Sequence, residues 1–197
     1  MPAPKILVMF YTSTGTNLGI AREARRAAEE AGAEVRFRRF AEIAPMDVVR
    51  SQEKWNATLE QMQSEGIEEC ALDDLEWAEG YFVSVPTRYG LPPSQMLAFT
   101  DTTGGLWSKG ALANKAFTAT CSASTVHGGQ EGTLQSLTKM ATHWGCILVP
   151  PGYADDVKFE DGGNPYGYSM TQGDELNAKS VAYQARRLVE MTAKLAG

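Results

Sequence analysis

The chain has 197 residues, of which 43% are apolar, a composition typical of a globular protein with one sizeable core. Its formal net charge of -6 argues against a nucleic-acid partner, because surfaces that neutralise phosphates are normally basic. No apolar run approaches the roughly 20 residues of a membrane span, and the N-terminal residues resemble a strand rather than a secretory leader. We therefore expect one cytoplasmic domain over residues 1–197 with no membrane span.

The first forty residues predict a strand, a helix and a second strand. A continuous apolar run over 5–11 is typical of a parallel strand that is covered on both faces. Apolar residues then recur at helical spacing as far as Gly32, which supplies a C-terminal stop. Residues 34–40 alternate as a shorter strand near an edge. Its three arginines are interpreted as a solvated face rather than as a binding patch; they are Arg36, Arg38 and Arg39.

The rest of the chain continues this alternation. Residues 41–79 form a long connection, in which 47–64 is predicted to be helical, and 80–86 is a third strand that ends at a proline. The later predicted elements are a helix over 93–102, a strand over 115–121, a helix over 130–144, a strand over 147–149 and a helix over 174–195. Five strands that alternate with helices predict a doubly wound α/β fold with a parallel sheet.

The strand order follows from the motifs that are missing. The dinucleotide-binding order normally carries G-x-G-x-x-G after its first strand, and the sequence contains neither that string nor a P-loop. We therefore predict a flavodoxin-like five-stranded sheet with order 2-1-3-4-5. In such a sheet ligands bind at the carboxyl ends of the strands, where the loops after strands one, three and four meet.

The first of these loops is suited to a phosphate. It consists of Thr12, Ser13, Thr14, Gly15, Thr16 and Asn17. Hydroxyls and backbone N–H groups at a helix start attract an anion, and the lack of a lysine favours a monophosphate over a triphosphate. The alternative is an ordinary helix cap, which needs a single hydroxyl, that of Thr16.

The second and third loops are suited to a flat ring. The second comprises Pro86, Thr87, Arg88 and Tyr89, and it adds an aromatic ring and a guanidinium beside the phosphate site. The third comprises Ser122, Ala123, Ser124, Thr125, Val126, His127 and Gly128, and its peptide groups could hydrogen-bond the edge of a ring system. Taken singly, each loop is also compatible with an ordinary exposed surface segment.

Cysteine and histidine spacing predicts no metal site. Cys70, Cys121 and Cys146 form no C-x-x-C pair, so they are interpreted as buried reduced thiols. His127 and His143 are the two histidines, and neither has ligand spacing to other metal-binding residues. Taken alone, His143 is expected to complement a helix dipole, and Trp107 is expected to pack in the core.

Between Pro86 and Gly167 the sequence contains PTRYG, TDTTGGLWSKGAL, GGQEGT, PGY and GGNPYG, in that order. With these strings the chain resembles the WrbA family of flavodoxin-like NAD(P)H:quinone oxidoreductases over essentially its whole length. The resemblance implies that Thr12–Asn17 hold an FMN phosphate, that Thr87–Tyr89 flank the isoalloxazine and that Ser122–Gly128 contact its polar edge. It also implies NADH or NADPH as the electron donor and a quinone as the acceptor.

The resemblance further implies a catalytic set of Tyr89, Trp107 and His143. The two aromatic side chains would stack in the substrate pocket, and His143 would polarise or protonate a quinone oxygen. A subunit interface contributes to this pocket in such proteins, which implies a homotetramer. The predicted reaction is ping-pong, because its two half-reactions share one site, which the nicotinamide leaves before the quinone takes two electrons. An electron-carrier flavodoxin without direct nicotinamide turnover is the alternative, and a flavin-free partner-binding module is a third hypothesis. The TSTGTN loop departs from the family pattern and is closer to a simple flavodoxin, which bears on substrate preference and tetramer contacts.

Overall fold

A computed structural model describes residues 2–196 as a parallel sheet with helices on both faces. Its strands are β1 (Lys5–Phe10), β2 (Glu34–Arg39), β3 (Gly80–Pro86), β4 (Ala116–Ala123), β5 (Ile147–Leu148) and β6 (Ser169–Thr171). Its helices are α1 (Thr16–Glu30), α2 (Met46–Arg50), α3 (Glu53–Ser64), α4 (Leu72–Trp77), α5 (Ser94–Asp101), α6 (Gly104–Ser108), α7 (Gln130–Trp144) and α8 (Ala178–Ala196), with a 3-10 turn at Asp156–Phe159.

The strand order is β2-β1-β3-β4-β5, with every pairing parallel. In register, Ile6 of β1 lies between Val35 of β2 and Gly80 of β3. Because β1 and β3 are flanked by helices on both faces, their apolar runs are continuous rather than alternating. The predicted flavodoxin-like order is confirmed, and the switch in winding direction lies between β1 and β3.

The position beside β4 is shared by two short strands. β5 pairs with β4 at Ala116 and Phe117, and β6 pairs with β4 further along, from Cys121 to Ala123. The chain leaves the sheet after β5 because Pro150 and Pro151 have no N–H to donate to a neighbouring strand. The fifth strand was expected over 147–149, and β6 was not expected at all.

Two hydrophobic cores lie on opposite faces of the sheet, as the alternation of side chains along β1 requires. Ile6, Val8 and Phe10 face the core under α1 and α8. Leu7 and Met9 face the core under α5 and α7. The carboxyl end of each strand is thereby held rigidly at one rim of the molecule.

Several helix boundaries differ from those expected. The helix predicted over 47–64 is two helices, α2 and α3, while α4 and α6 were not predicted. The last helix begins at Ala178 instead of 174, because the Asp174 carboxylate accepts a hydrogen bond of 3.0 Å from the Thr171 N–H and so forms a turn. The helix predicted over 130–144 is confirmed as α7.

The arginines of β2 do not form a solvated face, so that interpretation was wrong. Arg36 and Arg38 pair with Asp74 of α4 at 3.0 and 3.1 Å, and the Asp74 side chain is almost completely buried. The Arg36 guanidinium also lies 4.3 Å from the ring centroid of Trp77. Arg39 is buried and pairs with Glu69. Side chains do alternate along β2, but the arginine-bearing face is covered by α4, which comes more than thirty residues later in the sequence.

All three cysteines are free. Cys121 and Cys146 are buried as expected, whereas Cys70 is only half-buried. Burial raises the pKa of the Cys121 thiol to about 12, which suppresses the reactive thiolate at neutral pH. None of the helices formed by residues 2–196 combines the length and the apolar character that a bilayer crossing requires.

Candidate functional site

A cavity of about 110 Å³ opens at the carboxyl ends of β1, β3 and β4, where the winding of the sheet reverses. Residues from all three predicted loops line it, together with one residue from the segment after β6. The lining residues are Thr12, Ser13, Thr14, Thr16, Asn17, Pro86, Thr87, Arg88, Ser122, Ala123, Ser124 and Gln172. Arg88 is their one charged member, so the cavity is suited to an anionic group.

The first loop presents its donors to this cavity. Gly15 precedes α1 with φ 91°, and the Gly15 N–H donates a hydrogen bond of 2.9 Å to the Thr12 hydroxyl. The first hydrogen bond of the helix runs from the Gly19 N–H to the Gly15 carbonyl, so the N–H groups of the turn before it are not used within α1. Thr16 is therefore the first helical residue and not the cap, and Gly15, at the cap position, has no side chain to cap the helix.

The Asn17 side chain forms hydrogen bonds with two strands beneath the cavity. Its side-chain NH₂ donates to the Ser122 hydroxyl at 2.7 Å, and its side-chain oxygen accepts from the Ser84 hydroxyl at 3.2 Å. All three side chains are buried. This chain of hydrogen bonds ties the start of α1 to β3 and β4, so the first loop cannot shift without breaking buried polar contacts.

The second loop closes one side of the cavity. The Arg88 guanidinium donates a hydrogen bond of 3.0 Å to the Ser13 hydroxyl and so connects the first two loops. The Thr87 hydroxyl accepts a hydrogen bond of 2.8 Å from the Thr133 hydroxyl. Tyr89 has φ 52° and a fully exposed side chain, and it is not among the residues that line the cavity, although it directly follows Arg88, which does.

The third loop is shorter than expected because β4 extends to Ala123. Ser122 and Ala123 are therefore strand residues, while Ser124 to His127 are exposed. Gly129, just after this loop, packs closely against Gly90, just after the second loop: a Cβ added to Gly129, at φ +90°, would lie 2.6 Å from the Gly90 Cα. Only glycine fits this contact. Of this loop, Val126 and His127 line a separate opening beside Asp161 and Thr171 instead of the cavity described above.

Sequence reasoning missed Gln172. Its N–H donates a hydrogen bond of 2.7 Å to the Ala123 carbonyl, and its side-chain oxygen accepts from the Ser124 hydroxyl at 3.4 Å. It reaches the cavity because β6 extends beside β4. A strand of three residues produces no recognisable alternation, so nothing in the local pattern marks Gln172.

A family model described as NADPH-dependent FMN reductase matches residues 4–160, which include all three loops. The chain belongs to this family. A protein named NAD(P)H dehydrogenase (quinone) from Deinococcus radiodurans is 52% identical over the full length of both chains. A protein of the same name from Chelativorans sp. (strain BNC1) is 39% identical over 97% of this chain and 98% of its own. The family resemblance predicted from the sequence strings is confirmed.

Solved structures agree on the fold. A WrbA-like flavodoxin from Agrobacterium tumefaciens superposes with a TM-score of 0.68 at 15% identity, covering 98% of this chain and 99% of that chain. Flavodoxin 2 from Bacillus cereus superposes with a TM-score of 0.63 at 14% identity, covering 95% of this chain and 99% of that chain. At these identities the likeness is one of architecture, and it confirms the flavodoxin-like fold.

Two of the catalytic residues that the family resemblance implied lie far from the cavity of their own chain. α7 starts beside the cavity at Gln130, and thirteen residues of helix place His143 about 20 Å further along its axis. Trp107 lies with it: the indole N–H donates a hydrogen bond of 3.0 Å to the His143 carbonyl, and both side chains are exposed. The structure therefore brings Trp107 and His143 to each other but not to Tyr89.

A second missed residue, Glu42, lies beside the first two loops. Its carboxylate accepts hydrogen bonds from the Tyr11 hydroxyl, the Ala44 N–H, the Trp55 indole and the Gln95 amide, at 2.7 to 2.9 Å. Burial by itself favours the acid form, but these four hydrogen bonds outweigh it and lower the pKa of Glu42. Burial and the neighbouring Glu42 raise the pKa of Tyr11, so Tyr11 stays a neutral donor.

Proposed function

We propose that this chain is an FMN-dependent NAD(P)H:quinone oxidoreductase. The observation that carries the proposal is the convergence of three loops, distant in sequence, on one cavity with a free helix start, several hydroxyls and a single cation. The family match and the shared name of the full-length relatives, NAD(P)H dehydrogenase (quinone), support the same assignment.

The residues present fit FMN by the chemistry of their donors. The hydroxyls of Thr12–Thr16 and the unused N–H groups at the start of α1 would hold the phosphate. Arg88 and Tyr89 would flank the isoalloxazine, and the exposed peptide groups of Ser124–Gly128 would hydrogen-bond its polar edge. Bound FMN supplies two-electron redox chemistry between a nicotinamide and a quinone.

The opening of the site supports a proposed order of substrate binding. The first loop and the strand ends close the cavity from below, and the rim near Tyr89 is open. A flat ring held in this cradle would offer one accessible face, so nicotinamide and quinone would occupy the same place in turn. This arrangement supports a ping-pong sequence in which the donor product leaves before the quinone enters.

A second copy of the chain would complete the substrate pocket. Trp107 and His143 are exposed and lie about 20 Å from the cavity of their own chain, so a catalytic role for them would require the site of a neighbouring copy. This supports the homotetramer that the family resemblance implied, with Trp107 stacking on the substrate and His143 polarising a quinone oxygen.

An electron-carrier flavodoxin is the second candidate, favoured by the flavodoxin-like first loop and by flavodoxins among the structural neighbours. Absorbance and fluorescence titration of the purified chain with FMN tests the cofactor. Steady-state oxidation of NADH and of NADPH with benzoquinone then tests the enzyme. We expect FMN binding with quinone-dependent turnover. FMN binding without turnover would favour the electron-carrier flavodoxin, and no FMN binding would reject both the enzyme and the carrier.

A further inference from the structure

Glu42 connects the parts of the chain that carry the first and second loops. Tyr11, which donates to its carboxylate at 2.8 Å, directly precedes Thr12 of the first loop. Gln95, which donates at 2.7 Å, lies in the first turn of α5, just after the second loop. Trp55 donates from α3 at 2.9 Å, so the carboxylate also holds the long crossover against this rim.

The connection to each loop is short and stiff. One peptide bond separates Tyr11 from Thr12, and Tyr11 is itself fixed because its N–H donates to the Ser84 carbonyl at 3.1 Å. Between the second loop and Gln95 lie Pro92 and Pro93, both buried. Proline fixes its own φ, and Leu91 exchanges two backbone hydrogen bonds with Arg88, at 2.8 and 3.0 Å, so we expect a displacement of Gln95 to reach the loop.

We propose that Glu42 is a positioning residue of the flavin site, whose carboxylate fixes the separation of the first and second loops and thereby sets the affinity for FMN. The proposal rests on the proposed function. Four donors converge on a carboxylate that has no hydrogen of its own, so each of them is satisfied only by this ionised side chain.

A glutamine at this position has the same shape but cannot make the same contacts. Its NH₂ would face donors where the carboxylate has an acceptor oxygen, which would leave at least one buried donor unpaired. The elements that carry the two loops would then separate or rotate. Because the phosphate and the ring are held by different loops, FMN would lose simultaneous contact with both.

The test is the dissociation constant of FMN for the full chain, from fluorescence quenching, for the unsubstituted chain and for Glu42→Gln, with urea unfolding of each apoprotein. We expect Glu42→Gln to raise the dissociation constant by about tenfold or more, as the loss of a charge-assisted hydrogen bond would. Gln95→Met removes one donor and keeps the carboxylate, and it should raise the constant by about threefold.

Tyr81→Phe is the matched control. It also removes one buried hydrogen bond, from the Tyr81 hydroxyl to the Leu75 carbonyl at 2.7 Å, but at the start of β3, away from the site. It should lower stability without changing FMN affinity. Equal FMN affinity in Glu42→Gln and the unsubstituted chain would overturn the positioning role alone. If Glu42→Gln does not fold, the FMN affinity of Gln95→Met decides, and an unchanged affinity there would overturn the positioning role. If the unsubstituted chain does not bind FMN, the proposed function is rejected as well.

Discussion

The Arg88 guanidinium donates a hydrogen bond of 3.0 Å to the hydroxyl of Ser13, 75 residues earlier in the chain. This contact joins the loop after β1 to the loop after β3, across the point where the sheet changes its winding direction. It places the one cation of the cavity next to the hydroxyl-rich loop, where a bound anion would be stabilised.

We therefore expect Arg88→Leu to raise the dissociation constant of FMN about tenfold, which corresponds to ~1.4 kcal/mol. The reason is the loss of the positive charge beside the first loop, which we propose holds the FMN phosphate. Titration with FMN at low and high salt checks it, since the difference between the two chains should shrink as salt rises. Arg50→Leu, which removes an exposed arginine at the end of α2, serves as the control. Equal affinities for Arg88→Leu and the control at low salt would contradict the assignment.

Gly129→Ala should destabilise the chain by about 2 kcal/mol, because the new Cβ would meet the Gly90 backbone and the residue would be held at positive φ. It should also weaken FMN binding by moving the second and third loops apart. Urea unfolding measures the first effect. Gly19→Ala, inside α1 with open space around its Cβ, should instead stabilise by roughly 0.5–1 kcal/mol. A neutral Gly129→Ala would show that the two loops do not depend on this contact.

Lys158 and Asp161 form an ion pair at 2.5 Å, with side chains that are 0% and 1% exposed, and the Ser180 hydroxyl donates to the same carboxylate. Lys158→Met would leave the Asp161 charge buried without its cation, so we expect a loss of about 3–5 kcal/mol in the free energy of unfolding.

Lys194→Met is the control for that experiment. It breaks an ion pair with Glu190 that is exposed on α8, so it should cost at most about 0.5 kcal/mol. Urea unfolding compares the two variants. Similar losses for both would mean that the buried pair contributes no more than a surface pair.

The contribution of Glu42 to stability should depend on pH. Its pKa is lower in the folded chain than the ordinary value of 4.5, so its stabilising effect is fully present above that value. It is lost as the pH falls through the folded pKa, because the folded state must then take up a proton. The difference in unfolding free energy between the unsubstituted chain and Glu42→Gln should thus be constant from pH 6 to 8 and shrink below pH 4.5. A difference that grew on acidification would contradict the hydrogen-bond network described for Glu42.

Trp107→Ala should leave FMN affinity unchanged, because the residue lies outside the cavity of its own chain. It should lower quinone turnover at least tenfold, because in the proposed tetramer Trp107 would stack on the substrate in a neighbouring site. FMN titration measures the affinity, benzoquinone kinetics measure the turnover, and sedimentation measures the oligomeric state. Phe159→Ala, which removes another exposed aromatic ring, should change none of the three. Full turnover by a monomeric Trp107→Ala variant would rule out a shared pocket.

How far the sequence predicted this molecule depended on whether the signal was local. The apolar run of β1 and the helical spacing of α7 are periodic within the element itself, so both were predicted closely. The three loops followed from the strand order. Gln172 and Glu42 were missed because their partners come from other elements: Ser124 and Ala123 for the first, and Tyr11 and Gln95 for the second. No window along the chain contains such pairs.

The two short strands beside β4 also affect whether copies of the chain can pair edge to edge. Neither β5 nor β6 exceeds three residues, and the chain between them leaves the plane of the sheet. A long, flat outer strand would present a row of unpaired peptide groups on which another chain could polymerise. Here that row is interrupted, so this edge of the sheet is protected against edge-to-edge aggregation.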